Sequence, residues 1–112
     1  MVQFQARTFA EPERTVVSVS GECDLTVREQ FTSVLVSAVD EAAVVVVDLA
    51  GLRFMDSSGV HGLIVGYHAA RDKRRRFYVV NAAGEVARVL ELTGLDGLLS
   101  PPVDGHGGAE EP

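Results

Sequence analysis

The sequence predicts an α/β domain, and three observations carry that reading. Strand-like and helix-like stretches alternate along the chain. Val44 to Val47 form an unbroken β-branched run, and the helix-like stretches beside it each show one apolar stripe. A strand with no polar alternation belongs inside a sheet covered on both faces, typically a parallel one with right-handed crossovers. The chain has 112 residues, enough for one core, since a domain of about 100 residues buries roughly two-thirds of its unfolded surface.

FQARTFA at 4–10 and RTVVSVSG at 14–21 alternate, and Glu11, Pro12 and Glu13 between them signal a turn, so the chain opens on a pair of strands. Val17 and Val19 share one face of the second strand, with Val16 and Ser18 on the other. A helix follows. Thr26 and Glu29 have capping-box spacing, and Val27, Phe31, Val34, Leu35 and Ala38 recur at three and four residues as one stripe. After the 44–47 strand, a second helix runs from near Ser57 to about Lys73. Phe77–Val80 make a strand, Gly84–Leu92 a third helix stopped by Gly94, and Leu98–Leu99 a last short strand. PPVDGHGGAEEP at 101–112 has almost nothing to bury and reads as a disordered acidic Gly/Pro tail behind a domain at 1–100. There is no internal repeat.

Composition excludes several function classes. The net charge of −6 argues against nucleic acid as the main partner. The one basic cluster, RDKRRR at 71–76, reads as a helix C-terminus whose cations complement the macrodipole. Cys23 is the single cysteine, so no internal disulfide forms, which fits a reducing interior. The N-terminus lacks the apolar core of a signal peptide. The longest apolar run, residues 42–47, falls far short of the ~20 residues of a membrane span. The expectation is a cytoplasmic protein with no membrane partner.

The richest segment is DLAGLRFMDSSGVHG at 48–62, where two serines follow an Asp at a helix start. A nucleophile elbow wants small residues two before the serine, and Met55 and Asp56 stand there instead. His61, His68 and His106 place no base beside either hydroxyl by sequence. A phosphate-binding loop lacks its lysine, and Gly59, Gly62 and Gly66 fall within the helix rather than before it. His61 and His68 lie about 10 Å apart along the helix axis, too far to share an ion. Asp56, Ser57 and Ser58 all suit a helix cap. Val60, Leu63, Ile64 and Tyr67 form one apolar stripe suited to the core, and the three glycines form a second stripe beside it. Each glycine costs about 1 kcal/mol against Ala. They let this helix lie close on its own sheet, or they admit another protein's backbone; spacing leaves both open. The remaining reading is covalent: phosphate on an exposed seryl hydroxyl adds about −1.5 to −2 charges that the helix dipole tolerates.

VVVVDLAGLRFMDSSGVHGL at 44–63 resembles the STAS domain of bacterial anti-sigma factor antagonists. SGECDL at 20–25 is similar to that family's turn after its second strand, and AAGEVARVLELTGLDGLL at 82–99 to its closing helix, with the small-Gly-Leu step at Thr93–Gly94–Leu95. The resemblance spans roughly residues 4–100. It implies a single domain with a mixed, mostly parallel sheet and packed helices, no catalysis of its own and no cofactor. It also implies a partner, an anti-sigma factor with serine kinase activity. That partner is bound by the unphosphorylated form, freeing a sigma factor, and is released when Ser57 is phosphorylated. A serine phosphatase reverses the step. The family's docking surface maps onto Asp24, Asp56, Ser57, Ser58, Gly59 and the following turn with His61 and Gly62. His61 stands where the family commonly has a small residue, and Cys23 replaces an aliphatic one. The resemblance places the protein in stress-response or sporulation signalling as a monomer or weak dimer. A scaffold or ligand-binding module of a signalling assembly is the alternative.

Overall fold

The computed structural model describes residues 3–101. The predicted tail, from residue 102 on and including His106, lies outside the described residues. Two strands open the chain, β1 (Gln5–Ala10) and β2 (Thr15–Cys23), paired antiparallel with Phe9 opposite Val16. A 3-10 turn (Leu25–Val27) leads into α1 (Arg28–Glu41), followed by β3 (Val44–Met55) and α2 (Ser57–Asp72). The chain closes with β4 (Arg76–Val80), α3 (Gly84–Thr93) and α4 (Leu95–Leu99). The sheet order is β1-β2-β3-β4, with β2, β3 and β4 mutually parallel. The fold is the expected mixed, mostly parallel α/β sheet with packed helices.

The core sits on one face of that sheet. Val17, Val19, Val45, Val47, Phe77 and Val79 join Phe31 and Leu35 of α1, Leu63 of α2 and Val86 and Leu90 of α3 in one buried cluster. Val46, on the opposite face, is buried but stands outside that cluster. Its neighbours there, Val16 and Tyr78, are half-buried, and Phe9 is exposed. The expected cover on both faces therefore exists on one.

Four further local expectations are corrected. Thr26 and Glu29 form no capping box. The Thr26 hydroxyl donates instead to Asp24 Oδ1 at 2.6 Å, and α1 starts two residues later with no side-chain cap. β3 does not end with its valines but runs on to Met55, because two register shifts against β2 absorb two extra residues between Asp48 and Met55. Leu98–Leu99 is helix rather than strand. On that one-turn helix Leu95 and Leu99 point inward, 5% and 1% exposed, while Leu98 is 49% exposed. The Val60–Leu63–Ile64–Tyr67 stripe is only partly core. Leu63 is fully buried, Val60 and Tyr67 pack at the margin, and Ile64 is exposed.

The face of α2 that lies deepest is the glycine stripe. A Cβ on Gly62 would stand 2.6 Å from Phe31 Cδ2, and one on Gly66 2.8 Å from the Phe77 ring and 3.3 Å from Leu35 Cβ. A Cβ on Gly59 would meet Met55 Cγ at 2.2 Å. Of the two readings of these glycines, the structure realises the first: α2 lies close on its own core. Because Gly62 meets Phe31 and Gly66 meets Leu35, α1 and α2 run parallel and begin at the same end of the molecule. Arg75 ties the other end, donating through Nη1 to Val39 O and, at 3.2 Å, to Ala42 O at the C-terminus of α1. Lys73 pairs with Asp40 at 3.0 Å. The basic cluster thus serves helix ends, as its sequence implied. Gly94, with φ 79°, supplies the left-handed residue that ends α3.

Gly62→Ala tests the close approach. Alanine improves helix propensity by about 1 kcal/mol, whereas overpacking a rigid core costs about 1–3 kcal/mol. The Phe31 ring is fully buried and has nowhere to move. Urea denaturation is expected to show a net loss of about 1 kcal/mol with unchanged m-value; a net gain contradicts the packing.

Candidate functional site

Parallel strands β2 and β3 end side by side, with Cys23 opposite Met55. Each is followed by an aspartate in extended conformation, Asp24 at φ −128°, ψ −170° and Asp56 at φ −105°, ψ −162°. Each carboxylate turns back on the chain and accepts the backbone N–H two residues on. Asp24 Oδ1 takes Thr26 N at 3.0 Å, and Asp56 Oδ1 takes Ser58 N at 2.8 Å. These caps satisfy N–H groups that a helix start leaves orphaned. A further hydrogen bond, Asp56 N to Cys23 O at 3.2 Å, ties the two turns together. The result is a doubled strand–Asp–helix corner at the carboxyl end of the sheet.

The serine pair splits at this corner. Ser57, the first residue of α2, is exposed; Ser58, one residue on, is 6% exposed and turned beneath the surface. Only one of the two hydroxyl-bearing side chains stands out to solvent. Gly59 and Gly62, expected on the docking surface, are buried against Met55 and Phe31 and hold α2 down. His61 is exposed, and Asp24 and Asp56 are half-buried. Exposed apolar side chains flank these residues in sequence, Leu25 at 68%, Phe54 at 43% and Ile64 at 37%. Leu25 directly follows Asp24, Phe54 precedes Asp56 by two residues, and Ile64 lies two turns into α2.

His61 does not face a serine. Its Nε2 accepts a hydrogen bond from Arg28 Nη2 at 3.2 Å, bringing the first residue of α1 onto α2. Sequence reasoning missed this contact, since 33 residues separate the pair and nothing local marks it. It also gave Asp24 no structural role. The signal was present: Asp24-Leu25-Thr26 and Asp56-Ser57-Ser58 are the same Asp-x-(Ser/Thr) turn, written twice at two strand ends. Among the described residues no cluster of three His, Cys, Asp or Glu side chains is placed to hold a metal ion.

Cys23 lies under the corner, fully buried. Burial, reinforced by the Asp56 and Asp24 carboxylates, pushes its thiol up from 9.0 to about 12. It is a small protonated hydrophobe at neutral pH.

A model of the family described as "Mlab, STAS domain" matches residues 6–100. The chain belongs to the STAS domain family. Its fold is shared with an anti-sigma factor antagonist from Mycobacterium paratuberculosis, 28% identical with a TM-score of 0.79, over 92% of this chain and 90% of that one. The anti-sigma factor antagonist SpoIIAA in its unphosphorylated form is 25% identical with a TM-score of 0.73, over 88% and 86%. An anti-sigma-factor antagonist (STAS) domain protein from Planctomyces limnophilus is 26% identical with a TM-score of 0.71, over 86% of each chain. No curated protein matches by sequence. The doubled corner of this STAS domain occupies residues 22–28 and 54–62. No helix among the described residues is long and apolar enough to cross a membrane.

Two measurements check the corner. Asp56→Ala removes the cap of α2 and is expected to lower stability by about 1 kcal/mol; an unchanged urea midpoint contradicts the cap. For Cys23, the folded state holds its proton more tightly than the unfolded chain between pH 9.0 and about 12. The neutral thiol's contribution is therefore complete below that window and is lost as pH rises through it. Cys23→Ala is expected to fall less steeply in stability than wild type above about pH 9. Equal slopes contradict the burial.

Proposed function

We propose that this STAS domain is an anti-sigma factor antagonist of the partner-switching kind, with Ser57 as its switch. In its unmodified form it binds an anti-sigma factor that is also a serine kinase, in the cytoplasm, and a sigma factor is released. The kinase transfers the γ-phosphoryl of ATP to Ser57 Oγ. A P–Oγ bond forms, the bridging bond to the β-phosphate breaks, ADP departs, and the hydroxyl proton goes to a base on the kinase. A serine phosphatase hydrolyses the ester and returns the protein to its binding form. The domain itself acts as a binding protein, not an enzyme.

The observation that carries this reading is the split serine pair. Ser57 stands exposed at the first position of α2 while Ser58 is turned under, so a visiting kinase has one hydroxyl to reach. Its surroundings also favour docking. Leu25, Phe54 and Ile64 supply exposed apolar area close in sequence to Asp24, Asp56, Ser57 and His61. The neighbours in fold include anti-sigma factor antagonists, and SpoIIAA is described in both unphosphorylated and phosphorylated forms.

The magnitude is adequate. A hundredfold loss of affinity is about 2.7 kcal/mol. A phosphate carrying about −1.5 to −2 charges beside the Asp56 carboxylate, set into a fitted interface, supplies this through repulsion and desolvation. The fold tolerates the group because it sits at a helix start, where the dipole favours negative charge.

Intact-mass measurement after incubation with the cognate kinase and ATP tests the site. Wild type is expected to gain one phosphate and Ser57→Ala none. Equal gain in both variants, or none in wild type, contradicts the assignment. Ser57→Asp is expected to remain folded while losing about tenfold or more in kinase affinity.

A further inference from the structure

Arg28 and Ser57 are the first residues of α1 and α2, parallel helices that begin at the same end of the molecule. Arg28 does not point freely into solvent. Its Nη2 is held 3.2 Å from His61 Nε2. The guanidinium has no ion pair within 4.0 Å among the described residues; the two salt bridges there are Arg14–Glu11 and Lys73–Asp40. Of the carboxylates at this corner, Asp24 Oδ1 accepts from Thr26 N and Oγ1 and Asp56 Oδ1 from Ser58 N, and the adjacent Glu29 makes no ion pair with Arg28. Arg28 therefore has no ion-pair partner among the described residues and is held in place by the His61 ring.

His61 is four residues after Ser57 on α2, one turn along the same face. Side chains at that spacing have Cβ atoms about 5–6 Å apart. Helical side chains also lean toward the N-terminus. His61 therefore stands one turn beyond Ser57, with the guanidinium of Arg28 held on its ring. A phosphoryl group on Ser57 Oγ lengthens the seryl side chain, one helical turn from this pair. Arginine offers forked N–H donors matched to phosphate oxygens, and a charge-assisted bond to phosphate is stronger than one to a neutral imidazole.

We propose that Arg28, positioned by His61, is an intramolecular clamp for phosphate on Ser57. The proposal rests on the reading of Ser57 as the modified residue and adds what happens to the phosphate afterwards. Arg28 gives up its bond to the imidazole, donates to the phosphoryl oxygens, and draws the group down between the starts of α1 and α2. Glu29, Asp24 and Asp56 oppose the phosphate from the same corner, and Arg28 is the cation held there by a side-chain hydrogen bond. The clamped phosphate is partly shielded from the phosphatase, and the unbound form lasts longer than an open phosphate would allow.

The test uses the full chain with phosphoserine incorporated at position 57 during synthesis, so that it does not depend on any kinase. Phosphorus NMR follows the second ionisation of the phosphate with pH in otherwise wild-type, Arg28→Ala and His61→Ala chains. The three neighbouring carboxylates are common to all, so their effect cancels in the comparison. The midpoint is expected to lie about half a pH unit or more lower in the wild-type chain than in Arg28→Ala, with His61→Ala between. Equal midpoints in the wild-type and Arg28→Ala chains overturn the clamp. Arg28 is exposed and outside the core, so the variant folds; a proton–nitrogen spectrum of the unphosphorylated Arg28→Ala chain verifies it. Failure of the underlying reading looks different: the unmodified chain gains no phosphate on Ser57 from its kinase, whatever the phosphorus midpoints show.

Discussion

The close seating of α2 on the core is the constraint on which the rest of the structure depends. Gly59, Gly62 and Gly66 remove the side chains that would otherwise hold the helix away from Met55, Phe31 and Phe77. In intrinsic propensity the three together forgo about 3 kcal/mol. What they secure is position. With Gly59 pressed on Met55 and Cys23, the first turn of α2 is fixed relative to the end of β3, and the orientation of Ser57 follows. With Gly62 and Gly66 pressed on Phe31, Phe77 and Leu35, α1 is fixed alongside, and Arg28 arrives next to His61.

That seating separates surface from core over a very short distance. Ser57 is in solvent, Ser58 is beneath, and Cys23 below both is so dry that its thiol is pushed up to about 12. A switch needs a group that is reachable and a frame that does not yield when the group changes. The aspartate caps supply the second requirement, because the backbone N–H groups they hold do not depend on what Ser57 carries. Charge added at Ser57 would therefore leave both caps in place.

Much of this was legible in the sequence, and what was not has physical reasons. The alternation at Val17 and Val19, the valine run at 44–47 and the stripe through Phe31 and Leu35 are repeated signals, and each forms the element its pattern indicated, the valine run with cover on one face rather than two. Single-residue cues fared worse. Thr26 looked like a helix cap, yet Asp24, already extended at the strand end, captured its hydroxyl and its N–H. The length of β3 was hidden because bulges leave no composition mark, and Leu98–Leu99 misled because two apolar residues do not reveal their period. The glycines could be counted but not oriented. Spacing shows that they share a face, and only packing shows that the face is inward. Arg28 and His61 meet across helices, a contact set by how tightly α1 and α2 approach.

The claim that a change at Ser57 alters the surface and leaves the frame intact is tested most directly by hydrogen exchange. Chains with serine and with phosphoserine at position 57 would be compared segment by segment. Protection in β2, β3, β4 and the later turns of α2 is expected to be the same in both, with differences confined to residues 24–28 and 56–61. Loss of protection across the valines of β3 or the Gly62–Gly66 turn in the phosphorylated chain would contradict it, because the phosphate would then be acting through the core.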